Sequence, residues 1–109
     1  MRILKFIVNG SVIEQDMSYD SGSLVPGSGE EVQAEFIFSN EWSGYAKVAA
    51  FWSLLGREYP PQIVKNGVRC TIPREALERR AFKVQVVGYK DGEKIRTNKV
   101  KVEQLGGRK

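Results

Sequence analysis

Residues 35–51 read EFIFSNEWSGYAKVAAF, in which a polar elbow joins two apolar runs. Apolar side chains alternate on both sides of the elbow, at Phe36, Phe38, Val48, Ala50 and Trp52. A period of two is typical of β-strands that bury one face. The stretch therefore predicts strands over 32–38 and 46–54, with both phenylalanines and Trp52 in a β-rich core.

Three turn signals divide the rest of the chain into short strands. Asn-Gly at 9–10 and at 66–67 and Asp-Gly at 91–92 favour two-residue hairpin turns. Residues 81–88 alternate cleanly, with Phe82, Val84 and Val86 on one face. The remaining strands are predicted at 3–8, 11–14, 62–65, 68–72 and 94–103.

These elements predict an all-β fold, an antiparallel β-sandwich of immunoglobulin-like size with about seven strands. A small barrel is the alternative. Pro73 before a Glu-rich segment predicts one short helix near 74–79. A single domain is expected over 1–105, with a long exposed loop at 18–30 and a flexible C-terminal tail at 106–109.

The composition is typical of a soluble globular protein. The chain has 109 residues, 41% hydrophobic and 28% charged. No apolar run approaches the roughly 20 residues that span a bilayer, and Lys5 and Asn9 interrupt the N-terminal apolar stretch too early for a signal peptide. The single cysteine, Cys70, excludes an internal disulfide. We therefore expect synthesis in a reducing cytoplasm and no membrane partner.

Charge is unevenly distributed along the chain. Residues 1–46 carry seven acids and two bases, a net charge of −5, whereas residues 47–109 carry fifteen bases and six acids, a net charge of +9. The basic half is compatible with nucleic-acid binding and with head-to-tail contact between copies. Ordinary solvated strand faces produce such a pattern more often than either.

The sequence predicts no enzyme, cofactor or metal site. It lacks histidine, the most common general base near neutral pH and the most common metal ligand. Cys70 is in phase with Val68 and Ile72 on the predicted strand, which favours a buried structural thiol. The acids lack the spacing of a calcium loop, and the glycines at 27 and 29 lack the following lysine and helix of a phosphate loop.

Aromatic and basic side chains supply the candidate interface: Trp42, Tyr45, Tyr59, Arg74, Arg79, Arg80 and Tyr89. The aromatic residues have two interpretations, a surface that grips a sugar ring or a protein, and packing at the core or a corner, which is favoured. Trp42 lies beside a turn and is expected to be partly exposed. Within the basic half, Tyr89 is the only residue expected to offer an exposed ring for stacking.

An ordered set of short motifs runs through the chain: LKFxVNG (4–10), AEFxFSxEWxG (34–44), CxIP (70–73), FxVxVxG (82–88) and TNKV (97–100). This order resembles a small β-sandwich module common in phage and prophage genomes of Gram-positive bacteria. There the module forms the N-terminal part of virion proteins of the head-fibre or tail-fibre type. The resemblance covers residues 4–102.

The resemblance implies a structural or accessory protein of the virion, made in the host cytoplasm. The family continues into a Pro-rich linker and a fibrous region, whereas this chain ends at Lys109. A decoration or fibre-anchoring protein is therefore expected, which binds capsid or tail proteins as a homo-oligomer or as many copies on a lattice. The alternative is an intracellular phage protein whose basic C-terminal half binds nucleic acid or inhibits a host factor.

Overall fold

Nine strands in two packed sheets form most of residues 2–17 and 31–104, the part of the chain that the computed structural model describes. The elements in chain order are β1 (Arg2–Asn9), β2 (Val12–Gln15), β3 (Val32–Phe38), a 3-10 turn (Asn40–Trp42), β4 (Ala46–Trp52), β5 (Gln62–Ile63), β6 (Arg69–Thr71), α1 (Arg74–Leu77), β7 (Ala81–Lys90), β8 (Glu93–Arg96) and β9 (Val100–Glu103). The predicted all-β sandwich with one short helix is confirmed. The predicted loop at 18–30 and tail at 106–109 lie outside the described residues.

The first sheet has the strand order β2-β1-β3-β6, and the second has β5-β4-β7-β8 with β9 also paired to β7. One pair departs from the predicted antiparallel arrangement. β1 and β3 are parallel over seven residues, from Arg2 opposite Val32 to Val8 opposite Phe38. Parallel neighbours need a connection of a dozen or more residues, and residues 10–31, the 22 residues that join β1 to β3 and include β2, meet that requirement.

Two strands replace the single strand predicted over 94–103, because the chain turns inward at Thr97. The Thr97 side chain is buried, where its hydroxyl accepts a hydrogen bond from the Val86 N–H at 3.1 Å and donates to the Asn98 carbonyl at 2.7 Å. β8 therefore pairs with residues 87–90 of β7, and β9 with residues 81–84.

Two of the predicted turns differ in detail from their prediction. Asn9 lies opposite Val12, so the first hairpin turns at residues 10–11, one position later than the Asn-Gly pair. The segment at 66–67 does reverse the chain, but only Lys65 and Arg69 bridge it. Its two arms, β5 and β6, belong to different sheets, so the turn carries the chain from one sheet to the other.

Aromatic rings form the centre of the core between the sheets. Phe6 and Phe36 stack with centroids 5.4 Å apart, and Phe36, Phe38 and Trp42 continue the series. Phe82 from the second sheet is fully buried, as the alternation over 81–88 predicts. The phase predicted for β4 is wrong by one residue: Ala49 and Phe51 face the core, whereas Val48 and Trp52 are half-buried on the outer face.

The short helix ends at Leu77, two residues sooner than the predicted 74–79, and a side chain binds carbonyl groups at and just beyond its end. The Gln104 amide donates to the carbonyl of Leu77 at 3.0 Å and also to that of Arg79. Within the described residues, no helix is long and apolar enough to cross a membrane.

Candidate functional site

Three of the seven predicted interface residues meet at one groove. It lies between the β4–β5 turn and the segment that joins α1 to β7, and its volume is about 560 Å³. Tyr59, Arg79 and Arg80 line it, together with side chains that the sequence analysis did not select, namely Leu54, Leu55 and Arg57. We call this feature the arginine groove.

Hydrogen bonds fix the turn that forms one wall of the groove, residues 53–57, which we call the leucine turn. The Ser53 N–H donates to the Arg57 carbonyl at 2.8 Å, and the Arg57 N–H donates to the Ser53 hydroxyl at 3.0 Å. Gly56 adopts a φ of +94°, a conformation that side chains disfavour. The turn presents Leu55 with 99% of its surface exposed, and Leu54 is also exposed.

The opposite wall is held by Gln104, which directly follows β9. The Gln104 N–H donates to the Arg80 carbonyl at 2.7 Å, while its side chain binds the carbonyl of Arg79. Both walls are therefore fixed through their backbones, and the side chains of Arg79 and Arg80 extend from a rigid base.

The groove is positively charged. No ion pair joins Arg57, Arg79 or Arg80 to another residue within the described ranges, and Glu78 is the one acid that lines the groove. A guanidinium offers a planar set of donors that binds a carboxylate or phosphate in two places. Guanidinium groups beside exposed leucines suit a partner that combines acidic and apolar groups.

Trp42 is fully buried, so its predicted partial exposure is wrong. Its indole N–H donates to the Gly10 carbonyl at 2.9 Å, and its ring lies against those of Phe38 and Tyr45. The favoured interpretation, packing at the core or a corner, is confirmed for this residue. The elbow at 40–45 therefore closes one end of the sandwich.

The other predicted interface residues lie apart from the groove. Tyr45 donates its hydroxyl to the Glu93 carboxylate at 3.1 Å; this hydrogen bond, with smaller effects of desolvation and charge repulsion, raises the pKa of Tyr45. Tyr89 is exposed on the outer face of the second sheet. Arg74 is exposed on α1 but does not line the groove.

A second basic feature lies on the outer face of the second sheet, around Trp52. The Lys99 ammonium lies 3.6 Å from the centre of the Trp52 ring. Lys83 of β7 lies between two neighbours: it is directly opposite Trp52 of β4 and directly opposite Lys101 of β9. We call this set the lysine face. The prediction of Trp52 in the core is wrong, because its ring lies on the outer face of β4 under the Lys99 ammonium.

Cys70 is buried, which confirms the predicted structural thiol, and burial raises its pKa to about 12. Over residues 2–17 and 31–104, no three acidic, cysteine or histidine side chains are grouped so that they could hold a metal ion. Comparison with protein-family models finds no match for the chain, and comparison with curated proteins finds none either.

Proposed function

We propose that this protein is a non-catalytic accessory component of a phage particle, which binds a capsid or tail protein through the arginine groove and the leucine turn. The observation that carries the docking role is the complete exposure of Leu55 on a hydrogen-bonded turn. When a partner covers an apolar side chain that a fixed turn holds in water, the free energy of the complex is lowered.

The groove adds specificity to that apolar contact. Arginine is enriched among the residues that dominate protein–protein binding energy. Arg57, Arg79 and Arg80 surround the leucines without ion-pair partners among the described residues. We expect the partner to present carboxylates around a small apolar pocket.

The virion context is supported by the ordered motifs of the sequence. Their residues have structural roles in this sandwich: Gly10, Ser39 and Trp42 close one end, and Asn98 ties the two sheets together. A rigid module of this kind suits repeated attachment to a lattice, as many copies or as a homo-oligomer. The same proposal has the protein made in the host cytoplasm before assembly.

Particles of the phage that encodes the chain provide the test. Mass spectrometry of purified particles should detect the protein, and tagged protein added to particles that lack it should sediment with them. Leu55→Ser should reduce this co-sedimentation at least tenfold. Ile37→Ser, which changes another exposed apolar side chain on the first sheet, is the matched control and should bind normally. Absence of the protein from particles would refute the virion role.

A further inference from the structure

We propose that the lysine face binds single-stranded nucleic acid, with Trp52 as a stacking surface and Lys83, Lys99 and Lys101 as phosphate contacts. This inference goes beyond docking on a virion protein and does not depend on it, because the lysine face and the arginine groove share no residue. It is carried by three lysines that accompany one indole on the outer face of the second sheet.

The strand register creates this arrangement. Trp52 of β4, Lys83 of β7 and Lys101 of β9 lie side by side in one row across the sheet. Lys99, the residue before β9, reaches the same ring, and its ammonium lies 3.6 Å from the ring centre. One ammonium therefore lies over the indole ring, and Lys83 and Lys101 follow Trp52 in the same row of the outer face.

This arrangement is unfavourable for the isolated protein. Lys83 and Lys101 are directly opposed, and like charges at directly opposed positions destabilise a sheet. The only ion pair within the described residues that relieves them is between Lys101 and Glu103, at 3.1 Å on the surface. Lys83 and Lys99 form no ion pair there. A multivalent anion would remove the repulsion.

Toward its other end, the outer face of the sheet carries a second pair of an aromatic ring and a lysine. Val87 lies opposite Arg96, and Tyr89 lies opposite Lys94, whose ammonium is 5.9 Å from the centre of the tyrosine ring. Tyr89 pairs with Ala46, six residues along β4 from Trp52. At about 3.3 Å per residue, the two aromatic–lysine pairs are on the order of 20 Å apart. A short oligonucleotide can extend across that distance.

Interleaved aromatic rings and lysines favour nucleic acid over an acidic protein. Bases stack on aromatic side chains while cations track the phosphates, and neither contact requires a particular base sequence. Among the described residues, the Trp52 indole N–H has no hydrogen-bond partner, in contrast to that of Trp42. Lys99 covers the Trp52 ring in the free protein. A base would replace the ammonium on the ring, and Lys99 would move to a phosphate.

Tryptophan fluorescence offers a direct test with the intact protein, because Trp42 is buried and Trp52 lies at the proposed site. Titration with oligothymidylate should give saturable quenching that weakens steeply as salt rises from about 0.05 to 0.2 M. Trp52→Phe should abolish the quenching. Lys83→Gln/Lys101→Gln should weaken binding at least tenfold and reduce the log–log salt slope by about 1.4, the value for two contacts to a single strand.

Arg79→Gln/Arg80→Gln is the matched control, because it removes two positive charges outside the lysine face. It should leave affinity and quenching unchanged, and thermal melts should show that every variant is folded. Lys99→Gln, a single substitution at the same face, should also weaken binding. Equal loss in the arginine control, absence of salt-dependent binding, or equally tight binding of polyglutamate would overturn the inference. Failure here would leave particle co-sedimentation unaffected, so the two proposals are separable.

Discussion

Gly88 of β7 packs directly against the ring of Trp42: a Cβ atom at Gly88 would lie 2.9 Å from the Cζ3 atom of Trp42. The same indole donates its N–H to the Gly10 carbonyl, and the Gly10 N–H donates to the Ser39 hydroxyl at 3.0 Å. The first hairpin, the elbow after β3 and the middle of β7 are thus joined at one ring. Glycine at 88 is required by this close approach.

Gly88→Ala should therefore lower the free energy of unfolding by about 1–3 kcal/mol, the usual cost of overpacking a core. Urea unfolding followed by circular dichroism measures the change. Trp42→Phe removes the ring atoms nearest to the new methyl group, so the cost of Gly88→Ala should be smaller in that background. An equal cost in both backgrounds would show that the contact with Trp42 is not the cause.

Asn98 connects the sheets along the edge where β2 approaches β9. Its side-chain oxygen accepts a hydrogen bond from the Ile13 N–H at 2.8 Å, and its own N–H donates to the Ser11 carbonyl at 3.1 Å. Asn98→Ala leaves the Ile13 N–H without its acceptor, so we expect a loss of about 1–3 kcal/mol in the free energy of unfolding. Thermal or urea unfolding would measure it.

Asn98→Asp is the informative companion to Asn98→Ala, because a carboxylate retains the acceptor for the Ile13 N–H. It should keep at least half of the stability that the alanine variant loses. If both variants were equally destabilised, the effect would come from the backbone conformation at this position, and the cross-sheet hydrogen bond would not be its source.

The all-β fold was predictable because turn residues and alternation are local properties of the chain. The turn at 91–92 shows this: Asp91 and Gly92 both adopt positive φ, as their dipeptide predicts. The parallel pairing of β1 with β3 was not predictable, because it depends on where the chain returns after a long connection. Pairing partners are non-local, and alternation does not reveal them.

Trp42 is buried and Trp52 lies on the outer face, the reverse of the prediction, and the cause is similar. β4 is apolar on both faces, since Val48 and Ala50 alternate with Ala49 and Phe51, so periodicity alone does not identify the inner face. The arginine groove was half predictable: Arg79, Arg80 and Tyr59 were selected by residue type. The leucine turn was not selected, because only the structure shows that Leu55 is exposed.

Cys70 should resist thiol reagents in the native protein. Burial raises its pKa to about 12, and the thiolate is the reactive species. At pH 8, modification by an aromatic disulfide reagent should be at least 100-fold slower than in urea-unfolded protein. Rapid modification of the native protein would show that the β3–β6 edge opens frequently.

The same thiol should make stability fall at alkaline pH. The folded-state pKa of Cys70 lies above the unfolded value, which is ordinarily near 8.5, so burial favours the protonated thiol. Its contribution is fully present below about pH 8.5 and is lost as the pH rises toward 12. The difference between the unfolding free energies at pH 8 and pH 10 should therefore be smaller in Cys70→Ala than in the parent protein. An unchanged difference would refute this assignment.

The Glu93 carboxylate should hold the pKa of Tyr45 above its ordinary value. The hydrogen bond to the Glu93 carboxylate is the main cause that raises the pKa of Tyr45. Glu93→Gln keeps an acceptor but removes the negative charge, so the pKa of Tyr45 should fall toward its ordinary value near 10. Tyrosinate absorbance, with Tyr45→Phe made in each background to isolate its contribution, measures the shift. Identical Tyr45 titration curves in the parent and in Glu93→Gln would mean that the pair is separated by water in solution.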